Sequence, residues 1–196
     1  MTDTRKSLRT QLRARRREIA PAQRIAAANA LALRLLSLPF APTRGHVAGY
    51  WASDGEIALH AWQLALPSGT TYCLPVLGDD QALRFAPWRP GEALSANRFG
   101  IPEPDVPPDA LLPAEAMQLV VVPLVGFDRA RNRLGMGGGW YDRSFAFRQA
   151  SPAPPYLVGA AFALQAVERL AHADWDVRLD AVCTEDDTLL ETGHAP

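Results

Sequence analysis

Apolar residues fall at helical spacing through the first forty positions and gather into short runs after that. Thr4 to Ile19 predicts a helix with Leu8, Leu12 and Ile19 on one face and basic side chains around the rest. Pro21 suits the first turn of a second helix, whose stripe is Ile25, Ala28, Ala32, Leu35 and Leu36, and Pro39 and Pro42 close it. Val47–Trp51 predicts a short strand, followed by the turn Ser53-Asp54-Gly55 and Glu56. Ile57, Ala61, Leu64 and Ala65 predict a helix from Ile57 to Leu66, ended by Pro67-Ser68-Gly69. Thr70–Val76 and Ala82–Trp88 flank Gly78-Asp79-Asp80 and predict a hairpin. Residues 89–113 hold five prolines between Pro102 and Pro113 and predict an ordered, meandering loop.

The valine-rich run Leu119–Pro123 predicts a strand buried on both faces. A helix start at Trp140–Phe147, a strand at Tyr156–Ala161, a short helix at Leu164–Leu170 and a last strand at Leu179–Thr184 before a polar tail complete the pattern. Strands alternating with helices predict an α/β chain with one sheet covered on both faces. Its 196 residues suit one domain, and no internal repeat is visible.

Net charge is −1, but its distribution is uneven. Arg5, Lys6, Arg9, Arg13, Arg15, Arg16 and Arg17 crowd the start, while residues 168–191 are rich in Asp and Glu. The basic head lacks the aromatic platforms of a nucleic-acid binder, so no nucleic-acid partner is expected. Arg13, Arg15, Arg16 and Arg17 are expected to form a solvated helix face. Cys73 and Cys183 lie in apolar runs and are expected to be buried thiols; His46, His60, His172 and His194 show no metal-ligand spacing. No secretory signal peptide and no membrane-spanning run is read, so a soluble, cytoplasmic protein is expected.

The richest stretch is Gly126 to Arg143. Four glycines (Gly135, Gly137, Gly138, Gly139) sit between Arg133 and the trio Tyr141, Asp142 and Arg143. A strand, a glycine-rich loop and a helix start present backbone N–H groups to an anion, and Asp142 could hold a metal that bridges phosphate oxygens. The sequence is neither a P-loop nor the dinucleotide G-x-G-x-x-G fingerprint.

These residues resemble the 5-formyltetrahydrofolate cyclo-ligase family. Pro123, Phe127-Asp128 and Arg133 through Arg143 follow its glycine motif. Lys6-Ser7-Leu8-Arg9, Asp54-Gly55-Glu56-Ile57, Gly100-Ile101-Pro102-Glu103-Pro104 and Asp176-Val177-Arg178-Leu179-Asp180 match in order. The resemblance spans residues 1–196 as one domain. It implies a single-domain, three-layer Rossmann-like fold with helices on both faces, and a small-molecule enzyme acting as a monomer, without a membrane partner. The implied reaction uses ATP and Mg²⁺. The formyl oxygen of 5-formyltetrahydrofolate is phosphorylated, a folate nitrogen closes the ring, and 5,10-methenyltetrahydrofolate, ADP and phosphate are released.

Residue by residue, the resemblance implies ATP contacts from Arg9, Arg133, Gly135, Gly137, Gly138, Gly139 and Tyr141. At the head, either Arg5 or Lys6 would reach a phosphate. Glu56 would receive the pterin's N–H donors, with Trp51, Met136 and Trp140 as walls, and Arg133 and Glu56 would carry the chemistry. Asp142 and Asp176 would lie on the metal side, with Asp180 as the rival of Asp176. Glu56 read alone is a residue near a helix N-terminus. The alternative function is a folate- or nucleotide-binding relative without catalysis.

Overall fold

The structure, a computed structural model, describes residues 2–190. Helices α1 (Thr2–Arg17) and α2 (Pro21–Leu36) come first, followed by strand β1 (Arg44–Ala48) and the short helix α3 (His60–Leu64). Strands β2 (Gly69–Leu77) and β3 (Leu83–Pro87) form the expected hairpin. The proline-rich stretch contains a small antiparallel ribbon, β4 (Leu94–Ala96) with β5 (Pro102–Pro104). Next come β6 (Met117–Pro123) and a second ribbon, β7 (Gly126–Phe127) with β8 (Arg133–Leu134). Helix α4 (Trp140–Ser144), β9 (Tyr156–Ala160), β10 (Ala181–Cys183) and β11 (Thr188–Leu190) follow. The polar tail from Glu191 onward, including His194, lies outside the described residues.

Seven strands form one sheet in the order β11-β10-β9-β6-β1-β2-β3. The five inner strands are parallel, and β3 and β11 pair antiparallel at the two edges. Period-two alternation sorts the apolar runs onto two faces. Val47, Leu119, Val121, Val158 and Cys183 point to α2 and to Trp62 of α3. Ala48, Val120, Val122, Leu157 and Val182 point the other way, onto Phe145, Leu124, Phe127, Val177 and Leu179. Each fully buried Val or Leu contributes about 1.5–3 kcal/mol relative to exposure. The mixed α/β sheet expected from the sequence is present, although its second face is covered by α4 and loop segments more than by long helices. No helix among the described residues is long and apolar enough to cross a membrane.

Several expected boundaries move, for physical reasons. β1 begins three residues earlier than expected and releases Tyr50, whose hydroxyl donates to the Ile57 carbonyl at 2.7 Å and folds the chain back. Ile57 and Leu59 are buried as loop residues, so the expected 57–66 helix shrinks to α3. On α2 the buried stripe runs through Ala27, Ala28, Leu31, Ala32 and Leu35, while Ile25 is exposed. The expected Leu164–Leu170 helix is a single tight turn, Ala163–Gln165. Its backbone donors go elsewhere: Val167 N–H to the Phe127 carbonyl at 2.8 Å and Leu170 N–H to Asp128 Oδ2 at 2.9 Å. Both cysteines are buried, and burial pushes each thiol up to about 12.

Candidate active site

From β1 the chain moves outward through β2 and β3, then returns to β6 on the other side of β1. The carboxyl ends of β1 and β6 therefore lie side by side where the strand order reverses, which is where open α/β sheets bind ligands. The loop after β1 carries Trp51, Asp54 and Glu56. The segment after β6 carries Arg133 on β8, the glycines in the loop that follows it and Asp142 on α4.

Arg133, in this second segment, is 8% exposed. Its Nη1 donates to the Val177 carbonyl and its Nη2 to Asp142 Oδ1, which also accepts from Val177 N–H at 3.1 Å. Burial lowers the Arg133 pKa, while the charges of Asp142 and Asp176 oppose that shift. Gly137 and Gly139 have φ of +96° and +67°, a conformation that L side chains rarely adopt, and Gly139 immediately precedes α4. The half-buried Tyr141 on α4 bridges the two loops electrostatically. Burial raises its phenol pKa, Glu56 raises it further, and Arg133 opposes both.

Glu56 is nearly buried at the tip of a tight turn, not at a helix start, because α3 begins only at His60. Its Oε2 accepts from Ser53 N–H at 3.0 Å, and Arg16 lies 3.8 Å from Oε1. Burial raises its pKa; the Ser53 hydrogen bond and the Arg16 charge oppose this. Around it, Tyr50 and Tyr72 are buried phenols with pKa values raised by burial. The Tyr72 hydroxyl lies against the backbone of Gly49, where a Cβ would overlap it.

Helix α1 lies across both loops and seats Leu12 against Val125, Leu134 and Leu170. Arg9 Nε donates to the Gly135 carbonyl at 2.8 Å, and Arg5 pairs with Asp176 at 3.4 Å. The two guanidiniums are close enough that, after burial, the Arg5 charge is what lowers the Arg9 pKa. Arg5 Nε is buried without a hydrogen-bond partner among the described residues. Lys6 is on the exposed side of the helix.

The expected solvated face of α1 is the main correction. Arg15 is exposed, but Arg16 is completely buried, and Arg13, Arg16 and Arg17 all engage the carboxylate of Asp54. Partial burial pushes the Asp54 pKa up. Hydrogen bonds from Arg13 and Arg17, together with the Arg16 charge, outweigh that and hold it well below the usual carboxylate range. A helix face reads as solvated when its partners are a carboxylate 38 residues away and backbone carbonyls. Neither leaves a mark in the local sequence.

The remaining predicted residues occupy the rim. Trp51 packs edge-on to Trp88 at 5.8 Å, and Trp140 lies under Arg98 and Arg143, while Met136 is exposed on the glycine loop. Asp176 faces Arg133 and Arg5 and borders a polar groove of about 480 Å³ lined also by Arg148, His172 and Asp174. Asp180 lines the same groove as Asp176, but its carboxylate is already held by Arg148 at 2.9 Å and by Leu157 N–H at 2.7 Å. No group of three or more His, Cys, Asp or Glu gathers as a metal site among the described residues. Asp142 and Asp176 are nevertheless a suitable pair for Mg²⁺, which binds through one or two carboxylates together with substrate phosphates and water. Both protein contacts of Asp142 fall on Oδ1, and both of Asp176 on Oδ2.

Fold and site together define an α/β protein whose switch point carries a glycine loop with three arginines near it after β6 and a nearly buried carboxylate, Glu56, after β1. The comparisons with known proteins agree with that class. Residues 1–185 match the model of the 5-formyltetrahydrofolate cyclo-ligase family. The chain is 35% identical over 182 residues to the 5-formyltetrahydrofolate cyclo-ligase of Haemophilus influenzae, covering 91% of this chain and 96% of that protein. It is 34% identical over 180 residues to that of Escherichia coli K12, covering 88% and 96%. The NMR structure of Aquifex aeolicus 5,10-methenyltetrahydrofolate synthetase superimposes with a TM-score of 0.80 at 26% identity, covering 98% of this chain and 95% of that one. This chain belongs to the 5-formyltetrahydrofolate cyclo-ligase family and is an enzyme of that type.

Proposed function

We propose that this protein cyclises 5-formyltetrahydrofolate to 5,10-methenyltetrahydrofolate at the expense of ATP, as one catalytic domain acting as a monomer in the cytoplasm. The observation that supports this best is the grouping of three arginines about the glycine loop and its two carboxylates, Arg9 on the Gly135 carbonyl, Arg133 on Asp142 and Arg5 on Asp176. Phosphoryl transfer depends on positioning and charge neutralisation more than on covalent help from the protein. The glycine loop and the arginines hold the triphosphate, with a phosphate contact from the half-buried Arg5 guanidinium. Arg5, not Lys6, is assigned that contact, because Lys6 is on the exposed side of α1. Asp142 and Asp176 hold Mg²⁺, which neutralises phosphate charge when bound; Asp180 is occupied by Arg148.

Across the cleft Glu56 accepts the paired N–H donors of the pterin, and Trp51, Met136 and Trp140 flank it. The formyl oxygen then attacks the γ-phosphorus, and the bond to ADP breaks. The N10 nitrogen attacks the activated carbon, loses its proton, and the carbon–oxygen bond breaks to release phosphate. Arg133 faces the transferring group, and Tyr141 closes the space between it and Glu56.

The test mixes the protein with 5-formyltetrahydrofolate, ATP and magnesium and follows the near-ultraviolet absorbance of the methenyl product. Product formation that requires both ATP and magnesium is expected. Equal rates without nucleotide refute the ligase chemistry, and binding of both substrates without turnover favours the binding-only relative.

A further inference from the structure

A fully buried arginine lies beside Glu56 and is not among the side chains assigned to substrate. Arg16 is completely buried, and its guanidinium makes three hydrogen bonds. Nε donates to the Asp54 carbonyl at 2.9 Å and Nη2 to Asp54 Oδ2 at 2.9 Å, both in the loop that follows β1. Nη1 donates to the Leu124 carbonyl at 3.1 Å, at the first residue of the loop that follows β6. One planar fork thus ties together the two loops that diverge from the switch point. Arg24 holds the same turn from α2, donating to the Gly55 carbonyl at 2.9 Å and to the Arg16 carbonyl. Asp54 itself adopts a left-handed φ of +50°, next to Gly55 at +78°, two residues before Glu56.

We infer that Arg16, acting through the Asp54-Gly55 turn, is a positioning residue that sets the distance between the folate-side carboxylate Glu56 and the phosphate-side segment carrying Arg133. A lysine cannot replace it, because a single ammonium lacks the fixed fork that reaches carbonyls of two loops at once. The contact is selective: Arg9 and Arg5, about two and three helical turns nearer the start of α1, serve the glycine loop and Asp176 without passing through Asp54. Disturbing the brace therefore moves Glu56 and leaves the triphosphate contacts in place. The inference rests on the reading of Glu56 as the folate-binding carboxylate.

The test compares Arg16→Lys and Asp54→Asn with the unsubstituted protein. It measures KM for 5-formyltetrahydrofolate and for ATP, calorimetric Kd for 5-formyltetrahydrofolate, and circular dichroism to verify folding. Leaving one of the braced groups without its partner raises the folate KM and Kd about tenfold or more in Arg16→Lys and several-fold in Asp54→Asn. The ATP KM stays within about twofold, a split that a general loss of stability does not produce. Arg16→Lys has the greater risk of misfolding, because the site is closed; Asp54→Asn keeps the side chain's size at a partly exposed position and then decides alone. Folded variants with unchanged folate constants, folate and ATP constants that rise together, or an Asp54→Asn protein that does not fold would each overturn the inference. Absence of turnover in the unsubstituted protein instead refutes the proposed reaction, and the calorimetric folate affinities still judge the brace.

Discussion

Replacing Asp142 by asparagine separates the ion pair with Arg133 from the metal role proposed for the same carboxylate. Oδ1 already accepts from Arg133 and from Val177 N–H, and an asparagine oxygen can accept both. What disappears is the negative charge opposite a guanidinium that is 8% exposed. Breaking a fully buried ion pair costs about 3–5 kcal/mol. Here the hydrogen bonds persist, the Asp142 side chain is 25% exposed, and Asp176 remains near Arg133, so the loss falls to about 1–2 kcal/mol. In a chain of 196 residues each kcal/mol lowers Tm by about 2–4 °C, so a fall of about 2–8 °C is expected. The second role is read from rate against magnesium at saturating ATP and 5-formyltetrahydrofolate. Hard cations prefer charged oxygens, so the magnesium midpoint moves several-fold higher. A lowered Tm with an unshifted midpoint would show that Asp142 is only the counter-charge of Arg133. An unchanged Tm refutes the ion-pair estimate.

Three further outcomes are expected. Glu56→Gln turns an amide donor toward the pterin's own donors, so folate affinity measured by calorimetry falls about tenfold or more while ATP affinity stays within twofold; a normal folate Kd reduces Glu56 to a turn residue. Gly49→Ala drives a methyl into the Tyr72 ring, whose Cζ would lie 2.7 Å from the new carbon, so thermal melting should reveal about 1–3 kcal/mol of overpacking, and an unchanged Tm would mean that Tyr72 moves freely. Asp54 has a folded pKa held below its ordinary value of 3.8, so its stabilisation is present above about pH 4 and is lost as pH falls through and below that value; denaturant titrations at descending pH should show this loss in the unsubstituted protein and much less of it in Asp54→Asn.

The parts of the fold that could be read from sequence are those whose stabilising contacts are local or periodic. Leu119–Val122 is apolar at every position because both faces are covered, and α2 shows its stripe over sixteen residues. The glycine loop was legible because close approach and positive φ demand glycine itself. What escaped was set by distant partners. Gln165 is stitched to the Leu124 and Val125 carbonyls at 2.7 and 2.9 Å, which turns an apparent helix into a loop. Leu64, taken as a core position, is 75% exposed because Ile57 and Leu59 enter the core from the preceding loop instead. Arg16 looked like part of a solvated charge run, since nothing local distinguishes an arginine that faces water from one that faces three oxygens. Among the residues predicted from sequence, Arg5 pairs with Asp176, Arg9 with the Gly135 carbonyl and Arg133 with Asp142, and Tyr141 lies between the charges of Arg133 and Glu56, while Lys6 is exposed.

The contacts of α1 also set an order in time. Arg16 meets a carbonyl 108 positions later, Arg9 one 126 positions later, and Arg5 a carboxylate 171 positions later. At synthesis rates of about 5–20 residues per second, Arg5 waits roughly 10–30 s for its partner to be made. During that interval the helix can already hold the Asp54 turn through Arg13, Arg16 and Arg17, while its Arg5 end has no carboxylate to pair with. A growing chain that already displays the glycine loop has no Asp176 against which to set Arg5. The last of these ties therefore forms only near the end of translation, after the others have already seated the helix.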